Sequence, residues 1–242
     1  MSFVHFVVSP SFERLERLEH LERLEPAQSG LARMKIAVEG YPFVLVALAL
    51  SGLGFVLGWA SIAFAGAGLG VFFVWFFRDP ERRAPEAKGL VVAPADGKIV
   101  SIVKINNAPL LEGNQTRVSI FMSPFDVHIN RMPVKGTIEE VRHQDGRFLA
   151  AYKDQAVEQN EQNAMRIADS EGRKFGVVQV AGFLARRVVC KARKGDTFNR
   201  GDRFGLILFG SRTDLYLPPD AEIAIAEGQK VKGGETVIGR FA

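Results

Sequence analysis

Apolar and polar positions follow three regimes along this chain, changing near residues 40 and 78. In the first, FERLERLEHLERLE at residues 12–25 sets leucine at Leu15, Leu18, Leu21 and Leu24, a near three-residue repeat that predicts a helix. Each repeat falls about 60° short of a helical turn, so the leucines spiral into a broad apolar stripe suited to a membrane surface or a partner. A charged helix with ordinary Glu–Arg pairing is an equal reading. In the second regime, residues 41–77 carry no charge at all. As one helix they would span about 55 Å, against about 30 Å of bilayer hydrocarbon. Gly52, Gly54, Gly58 and Ser61 offer a place to turn, which predicts two short helices in a hairpin that dips into or crosses a bilayer.

After Pro80 the pattern shortens to strand-length runs punctuated by glycine, including GLVVAPADGKIVSIVKI, TRVSIFMSP, VHINRMPVKGTIEEV, FGLILFG and TDLYLP. These read as antiparallel strands and hairpins, with ADSEGRKF at residues 168–175 as a hairpin corner. Residues 146–163, GRFLAAYKDQAVEQNEQN, are polar and irregular and predict a loop or short helix beside a site. The expected fold is mainly β, a compact antiparallel β-sandwich or barrel, preceded by a membrane-associated helical segment. Three regions follow: an amphipathic extension at 1–40, the hairpin at 41–77 and a β-rich domain at 78–242. APADGKIVSIVK and AEGQKVKGGETVIGRF resemble each other and the hairpins of lipoyl or biotinyl carrier domains. That likeness bears on fold alone, because no hairpin tip presents a Met-Lys pair.

Composition narrows the function classes. With 242 residues, 47% of them hydrophobic, the chain can bury a core, and disorder is excluded. The 31 basic and 27 acidic residues leave +4, too small an excess to imply nucleic acid. Arg14, Arg17, Arg23, Arg33 and Lys35 precede the apolar run and Arg78, Arg82, Arg83 and Lys88 follow it, which predicts both ends on the cytoplasmic face of the cell membrane. A cleaved signal peptide is a poor alternative, since the run is too long and too far from the start. The single cysteine, Cys190, forbids an internal disulfide and favours a reducing compartment.

Candidate chemistry is sparse. The four histidines, His5, His20, His128 and His143, show no metal-ligand spacing, so no metal is expected. No glycine-rich phosphate loop opens a helix, and Ser211 has Phe209 and Thr213 where a hydrolase elbow needs glycines. What remains is Asp96 in PADG, Asp126, His128 and Arg131 in SPFDVHINRMP, and Ser211 in FGSR. These can form a relay in which His takes the serine proton and Asp orients His. On spacing alone, a turn-forming Asp and a structural His are the commoner alternatives.

The set FFRDPERRAP, VVAPADGKIV, MSPFDVHINRMPVKG, NEQNAMRI, VVQVAGFLARRVV, RGDRFGLILFGSRTDLYLP and KVKGGETVIG resembles the phosphatidylserine decarboxylase proenzymes of the short bacterial type, in that family's order from residue 41 to the end. The Leu-Glu-Arg repeat lies outside the resemblance. The likeness implies a self-processing decarboxylase that converts phosphatidylserine to phosphatidylethanolamine and carbon dioxide. Ser211 would attack the carbonyl of Gly210 and cut the chain there, giving a membrane-associated β chain, 1–210, and a small α chain, 211–242. Residue 211 would become a covalent pyruvoyl group, the pyruvate cofactor, forming a Schiff base with the phospholipid substrate. His128 and Asp96 match positions that support cleavage and decarboxylation. Some longer members carry a second histidine at Arg131 and Leu-Gly-Ser-Thr at FGSR, so Arg131 is expected to grip the substrate's carboxylate or phosphate. Arg186, Arg187, Lys191, Arg193 and Lys194 form a basic run that can face anionic headgroups. Partners are then the lipid, the membrane and the two chains of one precursor, with higher oligomers left open. The rival readings are a membrane-anchored adaptor with lipoyl-like β domains and no catalysis, and a membrane-bound serine protease.

Overall fold

A computed structural model describes residues 35–146, 160–182, 188–208 and 211–241. The Leu-Glu-Arg repeat, Arg186, Arg187 and Gly210 lie outside these residues, as does most of the irregular 146–163 stretch, whose last two residues already belong to a strand.

The apolar run folds as α1 (Tyr41–Val56) and α2 (Ala60–Phe76). Of the small residues suited to the turn, Gly58 supplies it, at φ +72°, a left-handed conformation that a side chain disfavours. Gly52 and Gly54 lie within α1 and Ser61 within α2. The helices touch through small residues: a Cβ on Gly54 would sit 2.6 Å from the Ala63 nitrogen, and one on Gly66 2.6 Å from the Ser51 nitrogen. Ser51 Oγ also donates to the Ala63 carbonyl at 2.8 Å. Outward, the hairpin exposes Leu45, Val46, Phe55, Val56, Phe64 and Val71. Among the described residues, Val38–Val56 is the one helical stretch long and apolar enough to cross a membrane. β1 (Lys35–Ile36) pairs antiparallel with β2 (Arg78–Asp79) and closes the hairpin's base.

The remaining strands, in chain order, are β3 (Leu90–Val92), β4 (Gly97–Asn106), β5 (Asn114–Met122), β6 (Ile129–Arg131), β7 (Gly136–Gln144), β8 (Gln162–Ala168) and β9 (Lys174–Val180). They continue with β10 (Val188–Cys190), β11 (Thr197–Phe198), β12 (Arg203–Ile207), β13 (Ser211–Leu217), β14 (Glu222–Ile223), β15 (Lys230–Val231) and β16 (Val237–Arg240). A large sheet runs β11-β7-β8-β9-β13-β5-β4-β15, and two smaller ones run β10-β12-β6 and β14-β16-β3. Among the described residues all pairings are antiparallel, in keeping with the alternating pattern. ADSEGRKF makes the β8–β9 corner, where Asp169 accepts from the Glu171 and Arg173 amides. The large sheet is open, ending in the two-residue strands β11 and β15, so of the two expected assemblies the barrel is not adopted. One face of that sheet, through Ile99, Ile120, Met165, Val177 and Leu215, packs on Val91, Phe204, Ile207 and Ile238 of the small sheets. The two mutually similar stretches meet: β15 pairs with β4, Val231 opposite Gly97.

A second apolar cluster joins the hairpin base to the β domain. Ala37, Phe76 and Phe77 pack with Val127, Ile129, Leu206 and Leu208. This junction fixes where the candidate site lies.

Candidate active site

Ser211 opens β13, the strand flanked by β5 and β9 in the large sheet. Alternation turns Ser211, Thr213, Leu215 and Leu217 to the main core and Arg212, Asp214 and Tyr216 to the other face. Ser211 is fully buried opposite Met122, and its Oγ lies 3.5 Å from the Met122 sulfur, a weak acceptor. Among the described residues this thioether is its only partner, so the buried hydroxyl is under-satisfied.

Next to it runs a chain of buried amides. Asn130 Nδ2 donates to Thr213 Oγ1 at 3.3 Å, Gln179 Nε2 donates to Asn130 Oδ1 at 2.8 Å, and Asn163 Nδ2 reaches Gln179 Oε1 at 3.5 Å. Asn130 Nδ2 also approaches the Met122 sulfur at 3.8 Å. Thus β6, β8 and β9 are linked to β13 at Thr213, two residues beyond Ser211.

His128 lies two residues before Asn130, immediately ahead of β6. Its carbonyl accepts the Ile207 amide at 3.3 Å, tying it to the end of β12 that leads toward Ser211. The ring is 3% exposed and lies on Phe76, centroids 4.3 Å apart. Among the described residues neither ring nitrogen makes a well-formed hydrogen bond, the Asp126 backbone being the polar group that acts on it. Burial pushes its pKa down to about 4, opposed by the backbone and charge of Asp126 and assisted by Arg78, so the imidazole is neutral near pH 7.

Asp96 is held elsewhere. Its carboxylate accepts from Arg82 Nη2 and from the Gly233 amide, each at 2.7 Å, which clasps the turn before β4 to the turn after β15. Burial raises its pKa, with Arg82 and Gly233 opposing. The turn touches β6 through the Arg131 amide, which donates to the Pro94 carbonyl at 2.8 Å. Among the described residues no hydrogen-bonded relay joins Asp96, His128 and Ser211, because Asp96 is turned to Arg82 while the His128 ring sits in an aromatic niche. Asp126, two residues before His128, is the carboxylate whose charge acts on it.

Arg131 is 4% exposed, and its guanidinium donates to Gly201 O at 3.0 Å, Pro80 O at 2.7 Å and Asp79 Oδ1 at 3.2 Å. Arg203 reaches the same Asp79 at 2.6 Å. Arg82, Arg131, Arg200 and Arg203 line a cleft of about 390 Å³. Their partners Asp79, Asp96 and Glu235 already balance most of this charge. Arg131 therefore positions β6 against the hairpin base in this arrangement.

The sequence reading missed Phe76, Asn130, Gln179 and the buried ion pair on the far face of β13. There Arg212 Nε meets Asp214 Oδ1 at 2.6 Å, and Arg212 Nη2 donates to Ser119 Oγ at 2.7 Å. The signal was present as polar residues interrupting strand runs, in INR and VQV, but it named no partner. Among the described residues no group of acids, histidines or cysteine is placed to hold a metal.

A sequence model of the family described as phosphatidylserine decarboxylase matches residues 69–239. A phosphatidylserine decarboxylase proenzyme of Symbiobacterium thermophilum is 46% identical over 213 residues, covering 88% of this chain and 99% of the relative. That of Gluconacetobacter diazotrophicus is 46% identical over 83% of this chain and 92% of its own length, and that of Granulibacter bethesdensis 48% over 81% and 82%. With the mainly β domain, this similarity defines an enzyme class, the decarboxylases. The chain belongs to the phosphatidylserine decarboxylase family.

Proposed function

We propose that the chain cuts itself between Gly210 and Ser211 and then decarboxylates phosphatidylserine to phosphatidylethanolamine at a membrane surface. The observation that carries this reading is the buried Ser211 hydroxyl, which among the described residues meets only a thioether; His128, buried and neutral, is the base we assign to it. His128 takes the Ser211 proton as Oγ bonds to the Gly210 carbonyl carbon and passes it to the residue 211 nitrogen as the peptide C–N bond breaks, leaving an ester and a free amine. Loss of the residue 211 α-proton expels the residue 210 carboxylate, and water then replaces the nitrogen as ammonia.

The residues around position 211 fit a pyruvoyl group: Ser211 is fully buried, and the Asn130 amide reaches both Met122, which Ser211 meets, and Thr213, the next residue on the same face. Once formed, that group supplies an electron sink for the bond broken as the substrate's carboxylate leaves. His128 handles the proton returned to the substrate carbon. Asp96 acts indirectly, holding the turn against β6. Arg131 meets the substrate's anionic groups only by exchanging its present partners. The apolar hairpin holds the protein to the cytoplasmic face of the cell membrane, with its base at headgroup depth.

Intact mass of the purified protein tests this. Wild type gives fragments 1–210 and 211–242 with a blocked terminus on the smaller, and Ser211→Ala remains one inactive chain. A single uncut wild-type chain, without release of carbon dioxide from phosphatidylserine, would overturn the proposal.

A further inference from the structure

Among the described residues of the β domain, the exposed large hydrophobic side chains are Val100 and Phe125, and Phe125 is 72% exposed. It stands at the tip of a tight turn, where Asp126 N donates to Ser123 O at 3.0 Å and Ser123 N to Asp126 Oδ2 at 2.8 Å. The turn is bolted to the end of α2. Arg78 lies over the Trp75 ring at 4.2 Å and donates to Trp75 O at 2.9 Å and Phe125 O at 2.8 Å. The rings of Phe125 and Trp75 are 6.1 Å apart. Phe125 thus extends the apolar surface of the hairpin past its end, beside a tryptophan and an arginine. Aromatic rings next to a basic residue at the end of an apolar helix mark the depth of the bilayer interface.

We infer that the 123–126 turn is a second membrane contact, with Phe125 inserted beside Trp75 into the interfacial layer of a phospholipid bilayer. This rests on the membrane reading of the hairpin above and adds to it a point on the β domain itself. His128 follows three residues later with its ring on Phe76, so seating Phe125 sets the catalytic niche at headgroup height.

The experiment uses the full chain in phosphatidylserine-containing vesicles whose acyl chains carry bromine near the headgroup or near the chain end. In a Trp59→Phe, Trp75→Phe, Phe125→Trp variant, the indole at position 125 should emit at shorter wavelength than in water and be quenched more by the shallow bromines. In a Trp75→Phe variant, Trp59 at the hairpin tip reports insertion of the hairpin separately. Quenching of Trp59 without quenching at position 125 overturns this inference and leaves the hairpin reading standing; no quenching at either overturns both. Shielding at position 125 that follows protein density and ignores bromine assigns the turn to a second copy of the chain and likewise overturns it. Phe125→Ser should still be cut, lose about fivefold in turnover of vesicle phosphatidylserine, and act normally on a soluble short-chain substrate. Equal loss on both substrates counts against the inference.

Discussion

His128 combines 3% exposure with a pKa of about 4, and its protonation follows from these. The unfolded chain binds this proton below the ordinary value of 6.5, whereas the native state waits until about 4. The native state is therefore fully favoured above about pH 6.5 and loses stability as pH falls through the window to about 4, by on the order of 3 kcal/mol at most. Urea unfolding of wild type and His128→Asn should differ more at pH 7.5 than at pH 4.5, and a gap independent of pH would refute the neutral buried state. Asp96, with its raised pKa, contributes in the opposite direction but equally in both proteins. At this scale the sequence was partly legible. Ser211, His128 and Asp96 were visible as candidates because a hydroxyl, an imidazole and a carboxylate interrupt apolar runs. Their surroundings were not, since Asn130 finds Gln179 49 residues away and Thr213 83 residues away, and strand alternation does not reveal which strands are neighbours. Arg131 looked free for a ligand in the sequence, and only the fold supplied Asp79 and two carbonyls for it.

Elements were more legible than contacts. An uncharged run nearly twice the bilayer's thickness had to bend, and it bends at Gly58, the glycine with positive φ. The sequence did not distinguish that glycine from those packed between helices, because both uses require a small residue. Gly66 is of the packing kind: a Cβ would meet the Ser51 amide at 2.6 Å, whereas Gly68 faces open space. Gly66→Leu should splay the hairpin and cost about 1–3 kcal/mol, read as a lower unfolding temperature in detergent micelles. Gly68→Ala should match or slightly exceed wild type, since alanine restricts the unfolded chain and favours the helix. If both substitutions behaved alike, the small-residue contact between α1 and α2 would not be what holds the hairpin. The β-strands were legible from alternation, but whether the sheet opens or closes depends on the lengths of β11 and β15, which is a property of the whole sheet.

For the whole molecule, a cut after Gly210 would make a separate chain of residues that are woven through the fold. Residues 211–241 provide β13, held between β5 and β9, then β15 on β4, and β16 between β14 and β3. Every residue of β13 has a partner on β5. Leu215, Tyr216, Leu217, Val231 and Ile238 are all buried, and five such side chains favour association by on the order of 10 kcal/mol before ordering costs. Arg212, the second residue behind the cut, donates to Ser119 Oγ of the larger fragment, and the Asp96 clasp to Gly233 ties the far end. Cleavage should then leave the architecture intact and confine change to the severed end. In size-exclusion chromatography in mild detergent the two fragments should elute together, as one species with the β signature of the uncut Ser211→Ala chain. They should part only in urea, at the concentration where circular dichroism loses the strands. Release of the small fragment in native buffer, with the sheet signal unchanged, would mean that β13 is not the central strand that holds the two chains together.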